Sequence, residues 1–307
     1  MALTIAVAGG TGSLGRAIVQ AILADSKFKI IILSRTAKAS IQHSVDVPVI
    51  PIDYTRAVEV AEVLEKHQVH TLISTIDPTS GPQAEFALIE AAEKVETTKR
   101  FIPSIWGVKY SKEHGQLFPL AKTKLEILDR LQPSHLEWTA WYFGLFAEFL
   151  AHRPSPLPIL IDMHHDMAVV PGSGDISITV AFRDDVASFV AASLNLPRWP
   201  PETYLIGDSF TPNQLVEVAE AIKGTKFSVT NESLDGLKAG KLTELPSQTA
   251  MAAYMPPGTL SGILAFFMTL FGTGAMNFQD VSTINAQFPE LKTTSVKDSM
   301  SKAWGLK

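Results

Sequence analysis

Short apolar runs alternate with stretches of helical periodicity through the first half of the chain. Leu3–Ala8 is a continuous apolar run of strand length, and 14–23 follows with Ile18, Ala21 and Ile22 on one helical face. Lys29–Leu33, Val47–Ile52, Thr71–Ile76 and Arg100–Pro103 are further β-rich runs, with helical patterns at 57–66 and 83–94 between the later ones. Apolar strands separated by helices predict a parallel sheet covered on both faces. With right-handed crossovers this is an α/β, Rossmann-like doubly wound fold.

The second half is less regular. A helix is predicted over 122–131 and a strand over Trp138–Trp141. Three prolines between Arg153 and Pro158 mark an excursion out of the sheet. In "RDDVASFVAASL", Val186, Phe189, Val190 and Leu194 form the inward face of a helix. In "TPNQLVEVAEAIKG", Thr211 caps, Pro212 takes the first helical position, Gln214 completes a capping box and Gly224 stops the helix. The expected organisation is a nucleotide-binding core over 1–152 and a smaller C-terminal substrate lobe over 153–307, with segments near 180–225 returning to the core.

Composition narrows the functions open to such a fold. The 307 residues carry a net charge of −5, which argues against nucleic acid or an anionic membrane as partner. The absence of cysteine removes disulfides, thiolate nucleophiles and cysteine metal sites. The apolar run near Ile263–Phe271 is well short of the roughly 20 residues of a membrane span. A soluble, cytoplasmic protein is expected, as monomer or homodimer.

The first chemistry lies in "AVAGGTGSLGRAIVQ". Gly10, Gly12 and Gly15 satisfy G-x-G-x-x-G, and Gly9, Gly12 and Gly15 the related G-x-x-G-x-x-G, between a predicted strand and helix. Missing Cβ atoms let backbone approach a pyrophosphate, whose charge meets the free N–H groups of a helix N-terminus. Residues Gly9, Gly10, Thr11, Gly12, Ser13, Leu14 and Gly15 are thus expected to hold a dinucleotide. An NAD site places an acid about 20 residues further on. Here "IIILSRTAK" puts Arg35 there, a fork suited to a 2′-phosphate, with Ser34, Thr36 and Lys38 as further donors. NADPH is the expected cofactor.

That turn, "KRFIPSIWG" at 99–107, "AKTKLEILDRL" at 121–131, "FRDDVASFVAASL" at 182–194 and "TTSVKDSM" at 293–300 together resemble the NmrA-like, isoflavone reductase-like family of atypical short-chain dehydrogenase/reductases. The resemblance covers nearly the whole chain and is weakest over about 225–285. It implies NADPH-dependent reduction of a small aromatic or terpenoid metabolite by an enzyme of secondary metabolism. It also implies a lysine on the helix after the fifth strand in place of a Tyr-x-x-x-Lys pair. None of the five tyrosines is followed four residues later by lysine. Lys122 falls where the resemblance places that lysine, in contact with cofactor and substrate, and Lys124 is the alternative two residues on. A nearby ammonium stabilises charge on a substrate oxygen or donates a proton. Against this, Glu126 stands four residues beyond Lys122 and can pair with it as an ordinary surface contact.

The resemblance adds Asp53 near the adenine, with a turn-capping role as the alternative, and Pro103 beside the cofactor. It places Tyr142 and Phe143 in the substrate cleft. Family enzymes commonly read PSEFG where this chain has Pro103-Ser104-Ile105-Trp106-Gly107, so an acid has become apolar. Ser104 is expected near substrate or ribose, and Trp106 either walls the pocket or packs in the core. The Phe- and Met-rich segment 256–278 reads as a buried helix or as a lid over a greasy substrate. Some proteins of this type bind NADP and regulate transcription factors without reducing anything, and a non-redox enzyme on the same fold is a further alternative.

Other motifs carry less. The adjacent histidines of "DMHHD" point to opposite faces of an extended chain, so no metal site is expected. "GSG" at 172–174 lacks the spacing of a nucleophile elbow. The sequon at Asn231 has no secretion signal beside it.

Overall fold

The computed structural model describes residues 2–25, 27–36, 47–151, 158–249 and 255–305. Lys38 and nearly all of the proline-rich stretch 153–158 lie outside the described residues. The chain opens with β1 (Thr4–Ala8), α1 (Ser13–Asp25), β2 (Lys29–Ser34), β3 (Val49–Pro51), α2 (Ala57–Lys66), β4 (Val69–Ser74), α3 (Gln83–Lys94) and β5 (Arg100–Ile102). It continues through β6 (Trp106–Gly107), α4 (Lys112–Leu117), α5 (Pro119–Leu131) and β7 (Glu137–Trp138). A six-stranded sheet runs β3-β2-β1-β4-β5-β7, every neighbouring pair parallel. This is the doubly wound order, in which the sheet reverses direction of growth between β1 and β4.

Strand periodicity explains the layering. In β1, Ile5 and Val7 face one core while Ala6 and Ala8 face the other. The first core holds Ile18, Val19 and Ile22 of α1, joined by Val186, Phe189 and Val190 of a later helix. The second holds Val60 and Leu64 of α2, Leu88 and Ile89 of α3, and Ile127 and Leu131 of α5.

The strand predicted over 138–141 is two strands in two sheets. β7 closes the edge of the large sheet, and β8 (Ala140–Tyr142) pairs instead with β6. Thr139 is the hinge: its N–H donates to the Phe101 carbonyl at 3.3 Å, while the Ala140 N–H already donates to the Pro201 carbonyl at 2.9 Å.

The remaining elements are β9 (Leu145–Phe146), α6 (Glu148–Ala151), β10 (Ile161–Asp162), β11 (Met167–Pro171), β12 (Ile178–Ala181), α7 (Arg183–Ser193), β13 (Glu202–Tyr204), β14 (Asp208–Phe210), α8 (Pro212–Lys223), β15 (Ser228–Glu232) and α9 (Leu234–Lys238). A further helix, here α10, spans Thr259–Thr273, and α11 spans Val296–Trp304. β13 joins β8, and α7 returns to pack on α1. The capping expected of α8 is present. The Thr211 hydroxyl accepts from the Gln214 N–H, the Gln214 side chain accepts in return, and Gly224 turns left-handed at φ 68°. A third core unites β11, β12, α8, α10 and α11 through Val169, Val180, Leu215, Met268, Phe271 and Met300. Among the described residues no helix is long and apolar enough to cross a membrane.

Candidate active site

The glycine turn joins β1 to α1 at the carboxyl end of the sheet, and its glycines are required for different reasons. Gly9 sits at φ 76°. A Cβ on Gly15 would lie 2.4 Å from the Gly9 carbonyl oxygen and 2.6 Å from Thr75 Oγ1, so α1 can dock only without it. A Cβ on Gly12 meets only the Gly9 carbonyl oxygen, at 3.2 Å, and otherwise open space. Gly12 and Ser13 are exposed. The first turn of α1 leaves amide donors there without helical partners. The turn is therefore a cradle that fits a pyrophosphate.

Tyr54, which sequence reading passed over, fixes this turn. Its hydroxyl donates to the Leu33 carbonyl at 2.7 Å and accepts the Gly9 N–H at 2.9 Å. Burial pushes the phenol up to about 12, so it remains a donor. Thr11 Oγ1 lies 3.5 Å from Ser34 Oγ, which in turn is 3.5 Å from the Thr36 N–H. Arg35 is exposed just past β2 and lines an open cleft of about 450 Å³ with Ile52, Asp53 and Glu59. Asp53 caps its own turn, accepting the Thr55 N–H at 2.9 Å and hydroxyl at 2.7 Å; these bonds hold its carboxyl below the usual range. Glu59 is paired with Arg56, which offsets its charge beside the cleft.

The two candidate lysines of α5 are placed differently. Lys122 projects from α5 into solvent with its side chain 69% exposed, 3.8 Å from Glu126. Lys124, two residues on, is buried. Its ammonium donates to the Trp106 carbonyl at 2.8 Å and lies 5.7 Å from the Tyr110 ring centre. Burial without a carboxylate partner pushes it down to about 8. Helical spacing explains the difference. Lys124 shares the inward stripe of Ala121, Ile127 and Leu131, whereas Lys122 and Glu126 lie on the polar side.

A run of hydrogen bonds through Trp106 and the Ser74–Thr75 segment links this lysine to Ala8, the residue before the glycine turn. Thr75 donates from its hydroxyl to the Ala8 carbonyl at 2.9 Å, and the carbonyl of neighbouring Ser74 accepts the Trp106 indole N–H at 3.0 Å. Trp106 thus both anchors to β4 and supplies the carbonyl that Lys124 grips. On the other side of Lys124 stands an aromatic wall. Tyr110, His114 and Phe118 meet Phe266, with Phe118 and Phe266 stacked at 4.5 Å. Within segment 256–278, α10 buries Leu264, Met268 and Phe271 in the third core while Phe266 and Phe267 pack against Phe118 at the α4–α5 junction.

Three other expected substrate residues stand elsewhere. Ser104 is buried and donates its hydroxyl to the Ile76 carbonyl at 2.6 Å, so it holds a loop rather than a substrate. Phe143 is wholly buried against Phe146, facing the α1–α7 core. Tyr142, alternating to the opposite face, lines a separate groove of about 820 Å³ along the sheet edge with Trp138 and Tyr204. Pro103 is buried at the end of β5. In "DMHHD", Asp162 accepts from the His164 N–H, His165 Nδ1 and Ser247, which makes the cluster a loop anchor. Among the described residues no group of three or more His, Asp or Glu is arranged to hold a metal ion.

A glycine cradle at the carboxyl ends of a β3-β2-β1-β4-β5-β7 sheet defines a Rossmann-type nucleotide-binding protein. The chain belongs to the NmrA-like family, whose sequence profile matches residues 1–252. It is 32% identical over 230 residues to Oxidoreductase BOA1 of Botryotinia fuckeliana, covering 73% of this chain and 77% of that protein. It is 26% identical to Oxidoreductase swnN of Metarhizium robertsii, across 99% of this chain and 98% of the relative. Among solved structures, a leucoanthocyanidin reductase–NADPH binary complex from Vitis vinifera superposes with a TM-score of 0.78 at 18% identity, covering 98% of this chain and 99% of that one.

Proposed function

We propose that the chain is an NADPH-dependent reductase of a small, apolar, aromatic or terpenoid-like metabolite, acting on a C=C or C=O bond. The observation that carries this reading is Lys124: a buried ammonium without a carboxylate partner, tied to the Trp106 carbonyl and close to the Tyr110 ring. The oxidoreductase names of the relatives and the NADPH in the structural counterpart support it.

NADPH, when bound, supplies a hydride to an electrophilic carbon. The Gly9–Gly15 turn would receive the pyrophosphate, and Arg35 the 2′-phosphate, with Ser34 and Thr36 beside it. Lys124 stabilises negative charge developing on a substrate oxygen and donates a proton to it from Nζ; its value near 8 suits that exchange at neutral pH. Tyr110, Phe118 and Phe266 exclude water and favour an apolar ligand.

Arg35→Ala is expected to weaken NADPH binding about 10–100-fold, the worth of about 1.5–3 kcal/mol for hydrogen bonds to a charged group, and to leave NADH binding nearly unchanged. Fluorescence titration of both cofactors measures this; equal losses remove the 2′-phosphate role. The reading as a whole is tested with NADPH deuterated at C4 and a metabolite extract of the source organism. A product gaining one deuterium is expected. Binding of NADPH with no transfer would instead favour a cofactor-sensing regulator.

A further inference from the structure

We propose that Glu85 is a positioning residue for Lys124: its buried carboxyl ties the end of β4 to the loop that presents the lysine's carbonyl partner. This rests on the reading of Lys124 as the active-site cation.

Glu85 lies in the first turn of α3 and is 1% exposed. One carboxyl oxygen accepts the Ser104 N–H at 2.8 Å, and the other accepts the Ser74 hydroxyl at 2.7 Å. The Ser74 carbonyl then accepts the Trp106 indole N–H, and the Trp106 carbonyl accepts the Lys124 ammonium. Every member of this run is buried. Trp106 is therefore fixed from two sides, by the Ser104 amide two residues before it and by its own ring. Without the carboxyl, a buried amide and a buried hydroxyl lose their partner, and the loop must rearrange to satisfy them. Any such rearrangement moves the carbonyl to which Lys124 is tied.

The chemistry of the site suits a carboxyl that can be neutral. Burial pushes Glu85 up to about 7, and only the bonds from Ser104 and Ser74 oppose it. On β4 and in the 103–107 loop the groups facing it are these uncharged serines, and on α5 Lys124 reaches it only through Trp106. When protonated, the acid would still accept from Ser104 with one oxygen, and the bond to Ser74 would reverse, the carboxyl O–H donating to Ser74 Oγ. Glutamine offers the same acceptor and donor; leucine fills the volume and offers neither.

The full-length protein labelled with 15N-tryptophan and 13Cε-lysine tests this by NMR, with signals assigned through Trp106→Phe and Lys124→Met. Glu85→Gln is expected to keep the Lys124 titration near 8 and the Trp106 indole N–H protected from exchange. Glu85→Leu is expected to speed that exchange about tenfold or more and to raise the Lys124 midpoint toward the free-lysine value as water enters. Should Glu85→Leu not fold, Ser74→Ala, which keeps the carbonyl but removes the hydroxyl link, is expected to speed indole exchange in the same direction. Wild-type values in the folded Leu variant overturn the proposal, as does failure of Gln to rescue or, where Leu does not fold, wild-type exchange in Ser74→Ala. NADPH affinity, measured in parallel, reports on the cofactor reading separately.

Discussion

Lys124→Met is expected to lower turnover by about 10²–10⁴-fold, the range for a positioned proton donor, while NADPH affinity holds. Lys122→Met is expected to leave both within about twofold, because a solvated side chain contributes little. Steady-state kinetics on the substrate found by deuterium transfer decides between them. A large loss in Lys122→Met, with Lys124→Met active, would return the role to the surface lysine. In the wild type, kcat/KM should fall as pH rises through about 8, where Lys124 gives up its proton. Stability moves oppositely. The folded value of about 8 lies below the unfolded value of 10.5, so between them the unfolded chain binds the extra proton. Folding stability attributable to Lys124 therefore rises over that window, by about 3 kcal/mol. Denaturant titrations of wild type against Lys124→Met, at either end of the window, isolate it.

Gly12→Val and Gly15→Ala are expected to fail in different ways. At Gly12 the added side chain stands in open space above the turn and blocks the phosphates. A loss on the order of 100-fold in NADPH affinity corresponds to about 3 kcal/mol of charge-assisted bonding. Folding should be little affected. At Gly15 the single added methyl meets Gly9 and Thr75 well inside contact distance, and a loss of about 1–3 kcal/mol of stability is expected. Cofactor titration and denaturant unfolding, run on both variants, separate the two effects. Equal stability losses would mean that Gly12 is held by packing rather than by a ligand.

Much of the fold was legible because its signals are local. The periodicities of 57–66 and 83–94 reproduce α2 and α3, and the cap residues Thr211 and Gly224 bound α8. The break at Thr139 was not, since it depends on Phe101 and Pro201, each distant in sequence. The site divides the same way. The glycine turn carries its own constraints, whereas Ser104, Tyr142 and Phe143 acquire orientation only from the strands around them. Lys124 and Glu85 were readable from helical spacing. Lys124 continues the stripe of Ile127 and Leu131, and Glu85 that of Leu88, Ile89 and Ala92. A charged residue on an apolar stripe is the local signal that marks both as buried.

The Tyr54 hydroxyl, bonded to both the Gly9 amide and the Leu33 carbonyl, works as a spacer of fixed length between the phosphate cradle and the end of β2. Arg35, two residues beyond Leu33, makes neither of these bonds. If Arg35 meets the 2′-phosphate as proposed, selectivity between the two nicotinamide coenzymes is a detachable trait: exchanging the side chain at Arg35 is expected to reverse it while the glycine turn keeps its shape.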